Sequence, residues 1–220
     1  MDLGRRYEFH THTFWSDGVL SVAELLRYGV VNDCVVLAVT DHVDFSNVEQ
    51  VVVNQRKMLA EWDGEMTVLG GVELTHTRPT KVAKLARLAR KVGADIIVCH
   101  GETPVEPVEP GTNAAAVACP DVDILAHPGD ITAEEAQKAK DNGIFLEITA
   151  RSGHNRGNRH VAEVAKKVGA RMLVNTDMHK PEDLINQKRA YEIALETGLT
   201  KGEARTVVCS NPLELMKRIK

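Results

Sequence analysis

Short apolar runs alternate with longer amphipathic stretches along almost the whole chain. The short runs predict strands at 5–12, 34–40, 66–73, 95–100, 122–126, 144–149 and 171–175, with a further candidate at 205–209. Apolar positions at helical spacing predict helices at about 21–31, 47–62, 80–92, 112–118, 132–142, 158–168, 181–197 and 211–219. Alternation of this kind is typical of a parallel sheet whose strands are joined by right-handed helical crossovers.

Boundary signals support the predicted helices. Ser21 with Glu24, and Thr132 with Glu135, have the spacing of capping boxes at helix starts. A glycine, which can adopt the left-handed conformation of a helix C-cap, follows three of the predicted helices: Gly93, Gly143 and Gly169. The helix assignments therefore do not depend on periodicity alone.

The number of strand–helix units favours a closed barrel. Seven or eight units within 220 residues predict an α/β fold of the distorted (β/α)7, TIM-like kind. An open doubly wound sheet is the alternative, but it would need a glycine-rich phosphate turn after the first strand, and residues 10–18 do not form one. No linker or low-complexity segment divides the chain, so we expect a single domain over residues 1–220.

Composition narrows the classes of function. The chain is 43% hydrophobic and has a net charge of −4, so charge alone does not recruit nucleic acid. The four cysteines form no C-x-x-C pair, which excludes a cysteine zinc ribbon. Neither an apolar leader nor an apolar stretch of membrane-spanning length is present, so we expect a cytoplasmic protein without a membrane partner. The oligomeric state is not predicted.

Polar side chains with metal-binding groups stand where the predicted strands end. There are nine of them: His10, His12, Asp17, His42, Glu73, His100, His127, Asp177 and His179. Parallel strands of a barrel end on one face, so these side chains should meet at one mouth. Imidazole and carboxylate groups suit Zn²⁺, Mn²⁺ or Fe²⁺. Because nine ligands are too many for one ion, the pattern predicts a multinuclear site and a hydrolase.

The order of these motifs resembles the polymerase and histidinol phosphatase (PHP) family. The similarity rests on His-x-His-x₄-Asp-Gly (10–18), Thr-Asp-His (40–42), Gly-Val-Glu (71–73), His100, Ala-His-Pro (126–128) and Asp-x-His (177–179). It covers residues 7–179. The resemblance implies a distorted (β/α)7 barrel that holds three divalent ions and acts on phosphoesters.

The resemblance also implies how the ligands are shared among the ions. One ion would be held by His10, His12, Glu73 and Asp177, a second by Glu73, His100 and His127, and a third by Asp17, His42 and His179. Some relatives have histidine in place of Asp17. We expect Glu73 and Asp177 to be the catalytic carboxylates. The metals would supply hydroxide from a bound water, so no serine or cysteine nucleophile is needed.

Candidate substrate contacts lie in two loops at the same face. Arg151, just after the strand at 144–149, is placed to hold a phosphate through its guanidinium group, and His154 is a candidate helper. Glu102 follows His100 by two residues and is the candidate contact for an amine or hydroxyl of the leaving group. A solvated loop is the structural alternative for each of these residues.

Three functions remain open. The first is hydrolysis of a small phosphomonoester, as in histidinol phosphatase. The second is a phosphodiesterase or 3′-5′ nuclease acting on nucleotides or short nucleic acid, which the 4% aromatic content and acidic charge disfavour. The third is a non-catalytic domain whose metals stabilise a partner, against which the intact ligand set argues.

Overall fold

Parallel strands form one strongly curved sheet in the computed structural model, which describes residues 2–219. The strands are β1 (Arg6–Glu8), β2 (Cys34–Val39), β3 (His42–Val43), β4 (Thr67–Leu74), β5 (Ile96–His100), β6 (Ile124–Ala126), β7 (Phe145–Thr149) and β8 (Met172–Asn175). Their order in the sheet is β1-β2-β4-β5-β6-β7-β8, and the short β3 pairs with β4 just beyond the end of β2. All pairings are parallel, so every strand ends at the same rim.

The two ends of this order, β1 and β8, meet beyond their carboxyl ends. Thr11 and Met178 form an isolated parallel bridge, and His12 N donates to Met178 O at 2.8 Å. Within the strands themselves, the Arg6 guanidinium donates to Val174 O at 2.8 Å and links β1 to β8 through a side chain. The sheet is therefore a nearly closed, distorted barrel. This confirms the predicted (β/α)7 architecture and excludes the open doubly wound sheet.

Helices and short turns follow the strands. The helices are α1 (Val22–Val31), α2 (Val48–Leu59), α3 (Val82–Lys91), α4 (Thr112–Ala118), α5 (Ala133–Asp141), α6 (Asn158–Val168), α7 (Gln187–Glu196), α8 (Lys201–Arg205) and α9 (Asn211–Arg218). Three single 3₁₀ turns lie at Pro79–Lys81, His154–Gly157 and Pro181–Asp183, and a π turn spans Thr206–Ser210. Both predicted capping boxes are present, and all three predicted cap glycines have positive φ.

Successive side chains of each strand point alternately into the barrel and outward to the helices, and so form two apolar layers. In β5, Ile96 and Val98 join the cluster inside the barrel, whereas Ile97 and Cys99 pack outward against helices. Leu215 of α9 joins the interior cluster, and Arg218 Nε donates to Asp123 Oδ1 at 3.1 Å, immediately before β6. Helix α9 therefore covers the end at which the strands begin, and the carboxyl rim is left for the site.

Two predicted elements were wrong. The strand candidate at 205–209 is helical, because its buried residues Val207 and Val208 continue a helical stripe from Ala204. The helix predicted at 181–197 starts only at Gln187, after a separate turn at Pro181–Asp183. None of the helices within residues 2–219 is long and apolar enough to cross a bilayer.

Candidate metal centre

Glu73, at the end of β4, lies at the centre of the carboxyl rim. Its Oε2 atom is 3.3 Å from His10 Nε2 and 3.5 Å from His12 Nε2. Two residues earlier, a side chain at Gly71 would place its Cβ 2.4 Å from Ile96 Cγ2, so glycine allows β4 to approach β5. The carboxylate thereby reaches the barrel axis from a strand packed closely against its neighbour.

Asp177 faces the same histidines from the opposite side of the rim. Its Oδ1 is 3.2 Å from His12 Nε2 and 3.7 Å from His10 Nε2, and its Oδ2 is 3.6 Å from His127 Nε2. Asp177 and His127 have φ values of 51° and 26°, in the region that non-glycine residues rarely adopt. Such backbone strain concentrates at functional sites, where the surrounding structure holds it in place.

A second group lies nearer the solvent. Asp17 Oδ1 is 3.0 Å from His179 Nε2 and 3.3 Å from His42 Nε2. The His12 ring lies 4.2 Å from the rings of both His42 and His179, measured between centroids. The outer group is therefore continuous with the inner one through His12.

The donor atoms form four overlapping groups in which all atoms lie within 4.8 Å of one another. These groups are His12–Asp17–His42–His179, His10–His12–Glu73, His10–His127–Asp177 and Glu73–His100–His127. The structure thus brings all nine strand-end residues together. It differs from the predicted division in placing His12 with the outer group and Asp177 beside His127.

The chemistry of these atoms fits bound cations. Within residues 2–219, several fully buried atoms make no hydrogen bond of good geometry: His10 Nε2, both ring nitrogens of His12 and His127, and both carboxylate oxygens of Glu73. Burial, together with neighbouring imidazoles, holds the pKa of His12 and His127 well below the usual value, which favours the neutral, metal-binding form. Buried polar groups without partners are costly unless they are paired or bound to metal. We conclude that the cluster is suited to several divalent cations.

Glu147, on β7, supports the cluster from below. Its Oε1 accepts hydrogen bonds from Asn175 Nδ2 at 2.9 Å and pairs with His10 Nδ1 at 2.8 Å, while its Oε2 accepts from His127 N at 3.1 Å. Because an ionised carboxylate only accepts, His10 donates from Nδ1 to Glu147, which directs its Nε2 towards Glu73 and the position of a bound cation. The sequence prediction missed Glu147. The available signal was a single charged residue within the apolar run Phe-Leu-Glu-Ile-Thr.

A cavity of about 470 Å³ opens directly above these side chains. Arg151 and His154, both predicted substrate contacts, line it, and Trp15 forms part of its wall. Arg151 Nη1 donates to Asp177 O at 3.1 Å and also contacts the His179 ring. A guanidinium group therefore stands at the edge of the metal centre.

The loop after β5 contributes a different glutamate from the predicted one. Glu102 Oε1 accepts hydrogen bonds from Gly111 N and Asn113 N, both at 2.9 Å, so this side chain ties the loop to α4. Glu106 lines the cavity instead, with its carboxylate 3.1 Å from His100 Nε2 and 3.3 Å from His154 Nε2. Hydrogen bonds from these two imidazoles hold the pKa of Glu106 well below its usual value.

The chain is similar in sequence to several known proteins. No model of a known protein family matches the chain. An uncharacterized protein of Methanocaldococcus jannaschii is 47% identical over 218 residues, which are 97% of this chain and all of that protein. A probable phosphatase of Caldanaerobacter subterraneus subsp. tengcongensis is 29% identical over 189 residues, or 77% of this chain and 74% of that protein.

Solved structures share the fold at low sequence identity. Histidinol phosphate phosphatase from Lactococcus lactis, in complex with zinc, L-histidinol and phosphate, has a TM-score of 0.63 at 12% identity, over 89% of this chain and 94% of that one. A chain in the structure of an archaeal ribonuclease P with mature tRNA has a TM-score of 0.68 at 19% identity, over 96% of this chain and 89% of that one. The chain therefore has a phosphoesterase fold like that of the polymerase and histidinol phosphatase (PHP) family, and its distant sequence relatives include probable phosphatases.

Proposed function

We propose that this protein is a metal-dependent phosphomonoesterase acting on a small phosphorylated substrate. The observation that carries the proposal is the set of buried, unpartnered histidine and glutamate atoms directly beneath a cavity edged by an arginine. The probable phosphatases among the sequence relatives, and the phosphatase among the structural neighbours, support it.

The residues that would hold the ions follow from the donor groups. His10, His12 and Glu73 would hold one ion, with Asp177 beside them; Glu73, His100 and His127 would hold a second; and Asp17, His42 and His179, with His12 close by, would hold a third. His12 and His127 stand close enough to neighbouring groups to be shared. Zinc, manganese and iron all accept this ligand chemistry.

Divalent ions at these positions would lower the pKa of a bound water towards neutrality and so supply hydroxide. The chain's own residues perform the remaining tasks. Glu73 and Asp177 are the catalytic carboxylates at the centre of the site, and Glu147 fixes the orientation of His10. Arg151 is placed to hold the oxygens of the substrate phosphate through parallel hydrogen bonds.

The decisive experiment combines metal analysis with a phosphoester panel. Protein reconstituted separately with Zn²⁺, Mn²⁺ and Fe²⁺ is assayed on monoesters and diesters side by side, with bound metal measured on the same samples. We expect monoester hydrolysis that depends on bound metal. Absence of turnover with all three metals would overturn the proposal. Faster turnover of diesters would instead favour the phosphodiesterase alternative.

Asp177→Asn tests the catalytic assignment within that panel. The variant should lose turnover by at least about a hundredfold while its fold is retained, because a central anionic group becomes neutral. Asp63→Asn, on an exposed loop, is the matched control and should keep full activity. Full activity in Asp177→Asn would refute the role assigned to this carboxylate.

A further inference from the structure

We propose that a second cavity beside the metal centre binds the leaving group of the substrate, and that this leaving group carries an aromatic ring and its own negative charge. The inference rests on the proposed function, because it assumes that the phosphate reacts in the first cavity. It adds a substrate class that the metal ligands themselves do not specify.

The two cavities share a wall. The second has a volume of about 500 Å³, and His76 lines both it and the cavity above the metal centre. His76 has a φ of 49°, its ring stacks 5.5 Å from that of His100, and its Nε2 is 3.4 Å from Glu106 Oε2. A strained residue held in this way, between the reacting centre and a neighbouring cavity, is well placed to contact a substrate that extends across it.

The second cavity is positively charged although the whole chain is acidic. Three cationic side chains line it: Arg78, Lys81 and Lys84. Arg78 is partly neutralised by Glu109, at 3.3 Å, but within residues 2–219 neither lysine has a carboxylate at ion-pair distance. The acidic residue in the lining, Asp44, accepts hydrogen bonds on Oδ1 from Ser46 N and Oγ, both at 2.6 Å, and its single negative charge offsets only one of the three cations. The free ammonium groups therefore favour an anionic ligand.

An exposed aromatic ring lies among these cations. Phe45 is 44% exposed and lines the cavity, and Lys84 Nζ is 5.5 Å from the centre of its ring. Aromatic side chains of this kind bind planar rings by stacking, as they bind the bases of single-stranded nucleic acids. A ring that stacks on Phe45 would bring its substituents to Lys81 and Lys84. A nucleotide and a carboxylated phenol both have this chemistry.

Paired substrates test the inference in the metal-loaded protein. 4-Carboxyphenyl phosphate and phenyl phosphate differ in one remote charge, and a 5′-phosphorylated dinucleotide offers a base and a second phosphate in the leaving group. We expect kcat/KM to be higher for the charged aromatic esters. The double variant Lys81→Ala/Lys84→Ala should lower the ratio of kcat/KM for 4-carboxyphenyl phosphate to that for phenyl phosphate about tenfold. Lys91→Ala, at the other end of α3 and outside both linings, should leave the ratio unchanged.

Comparison of the dinucleotide with 4-carboxyphenyl phosphate shows whether the second cavity prefers a nucleotide or a carboxylated phenol. A larger preference for the dinucleotide than for 4-carboxyphenyl phosphate, lost in Phe45→Ala, identifies a nucleotide site. Equal preference for both identifies a site for anionic aromatic groups in general. A preference ratio of about one in the wild type, unchanged in the lysine variant, overturns the inference while phenyl phosphate turnover upholds the proposed function.

Binding without metals separates the two proposals. In chelator-treated protein, calorimetric titration with 4-hydroxybenzoate and with the unphosphorylated dinucleotide measures the second cavity without catalysis. We expect affinity for at least one of them to fall with rising salt and to decrease about tenfold in the double lysine variant. That result upholds the second site even if no phosphoester is turned over. Undetectable binding of both ligands by the wild type counts against the site.

Discussion

The sharpest test of the site's construction is Glu147→Gln, which changes one buried oxygen to an amide nitrogen. Glu147 is fully buried and faces three hydrogen-bond donors: His10 Nδ1, Asn175 Nδ2 and His127 N. A carboxylate accepts from all three, whereas glutamine offers one oxygen and a donating NH₂ group. Either orientation of the amide therefore points a donor at a donor. The alternative is that His10 accepts on Nδ1 and keeps its proton on Nε2, the atom that would bind the cation.

The two possible responses to Glu147→Gln, an unsatisfied donor or a reoriented His10, set the expected losses of stability and of metal affinity. An unsatisfied buried donor costs about 1–3 kcal/mol, so the metal-free variant should be less stable by that amount. Loss of a carboxylate that orients a ligating histidine typically lowers metal affinity 10–100-fold, or about 1.4–2.7 kcal/mol. We expect both effects, because the His10 Nδ1 and His127 N contacts, at 2.8 Å and 3.1 Å, involve two different ligand residues.

Two measurements separate these effects. Urea unfolding of the chelated protein gives the loss of stability, and competition with a chromophoric chelator gives the metal affinity. Glu163→Gln, on the exposed face of α6, is the matched control and should change neither quantity. Wild-type metal affinity in Glu147→Gln would refute the claim that this carboxylate positions His10, even if stability falls.

Three further predictions follow from the same structure. Arg151→Ala should raise KM or lower kcat about tenfold for phosphoesters with bound metal unchanged, and unaltered kinetics would exclude a phosphate contact. Chelation should lower the melting temperature by roughly 5–11 °C for each ion lost at a hundredfold excess over its Kd, measured by calorimetry, and an unchanged melting temperature would contradict specific binding. Leu85→Ala should cost about 2–5 kcal/mol in urea unfolding because Leu85 lies on the fully buried face of α3, whereas Leu213→Ala, at a side chain that is 49% exposed, should cost under about 0.5 kcal/mol.

Much of the candidate site could be predicted because each of its residues lies next to a recognisable strand. Glu73 and His100 are the last or nearly the last residues of β4 and β5, and His127 directly follows β6. Parallel topology then brings these ends together without any knowledge of side-chain geometry. The barrel was also predictable from local pattern. Short apolar runs predict the strands, and the stretches with helical spacing of apolar residues between them predict the crossovers.

Residues whose role depends on long-range register were not predictable. Glu147 acts through His10, which is 137 residues away, and its inward direction follows from the pairing of β7 with β8. Glu106 reaches the cavity only because the proline-containing loop after β5 folds back over His100. Proximity in sequence favoured Glu102, which the fold uses to hold α4. At 205–209 the short apolar run was equally compatible with a helix and a strand.

The candidate metal centre lies beside the seam at which the barrel closes. Backbone pairing between β1 and β8 is sparse, and the seam is held by buried polar contacts such as Arg6 with Val174 O and Glu8 with Thr176 N. His10 and His12 extend from one side of this seam and Asp177 from the other. An ion that binds all three would join the two edges where backbone hydrogen bonds are few. Cation binding would then supply both the reactive centre and an attraction that offsets the buried carboxylates near His10, which are Glu73, Glu147 and Asp177, so that stability and catalysis would depend on the same ions.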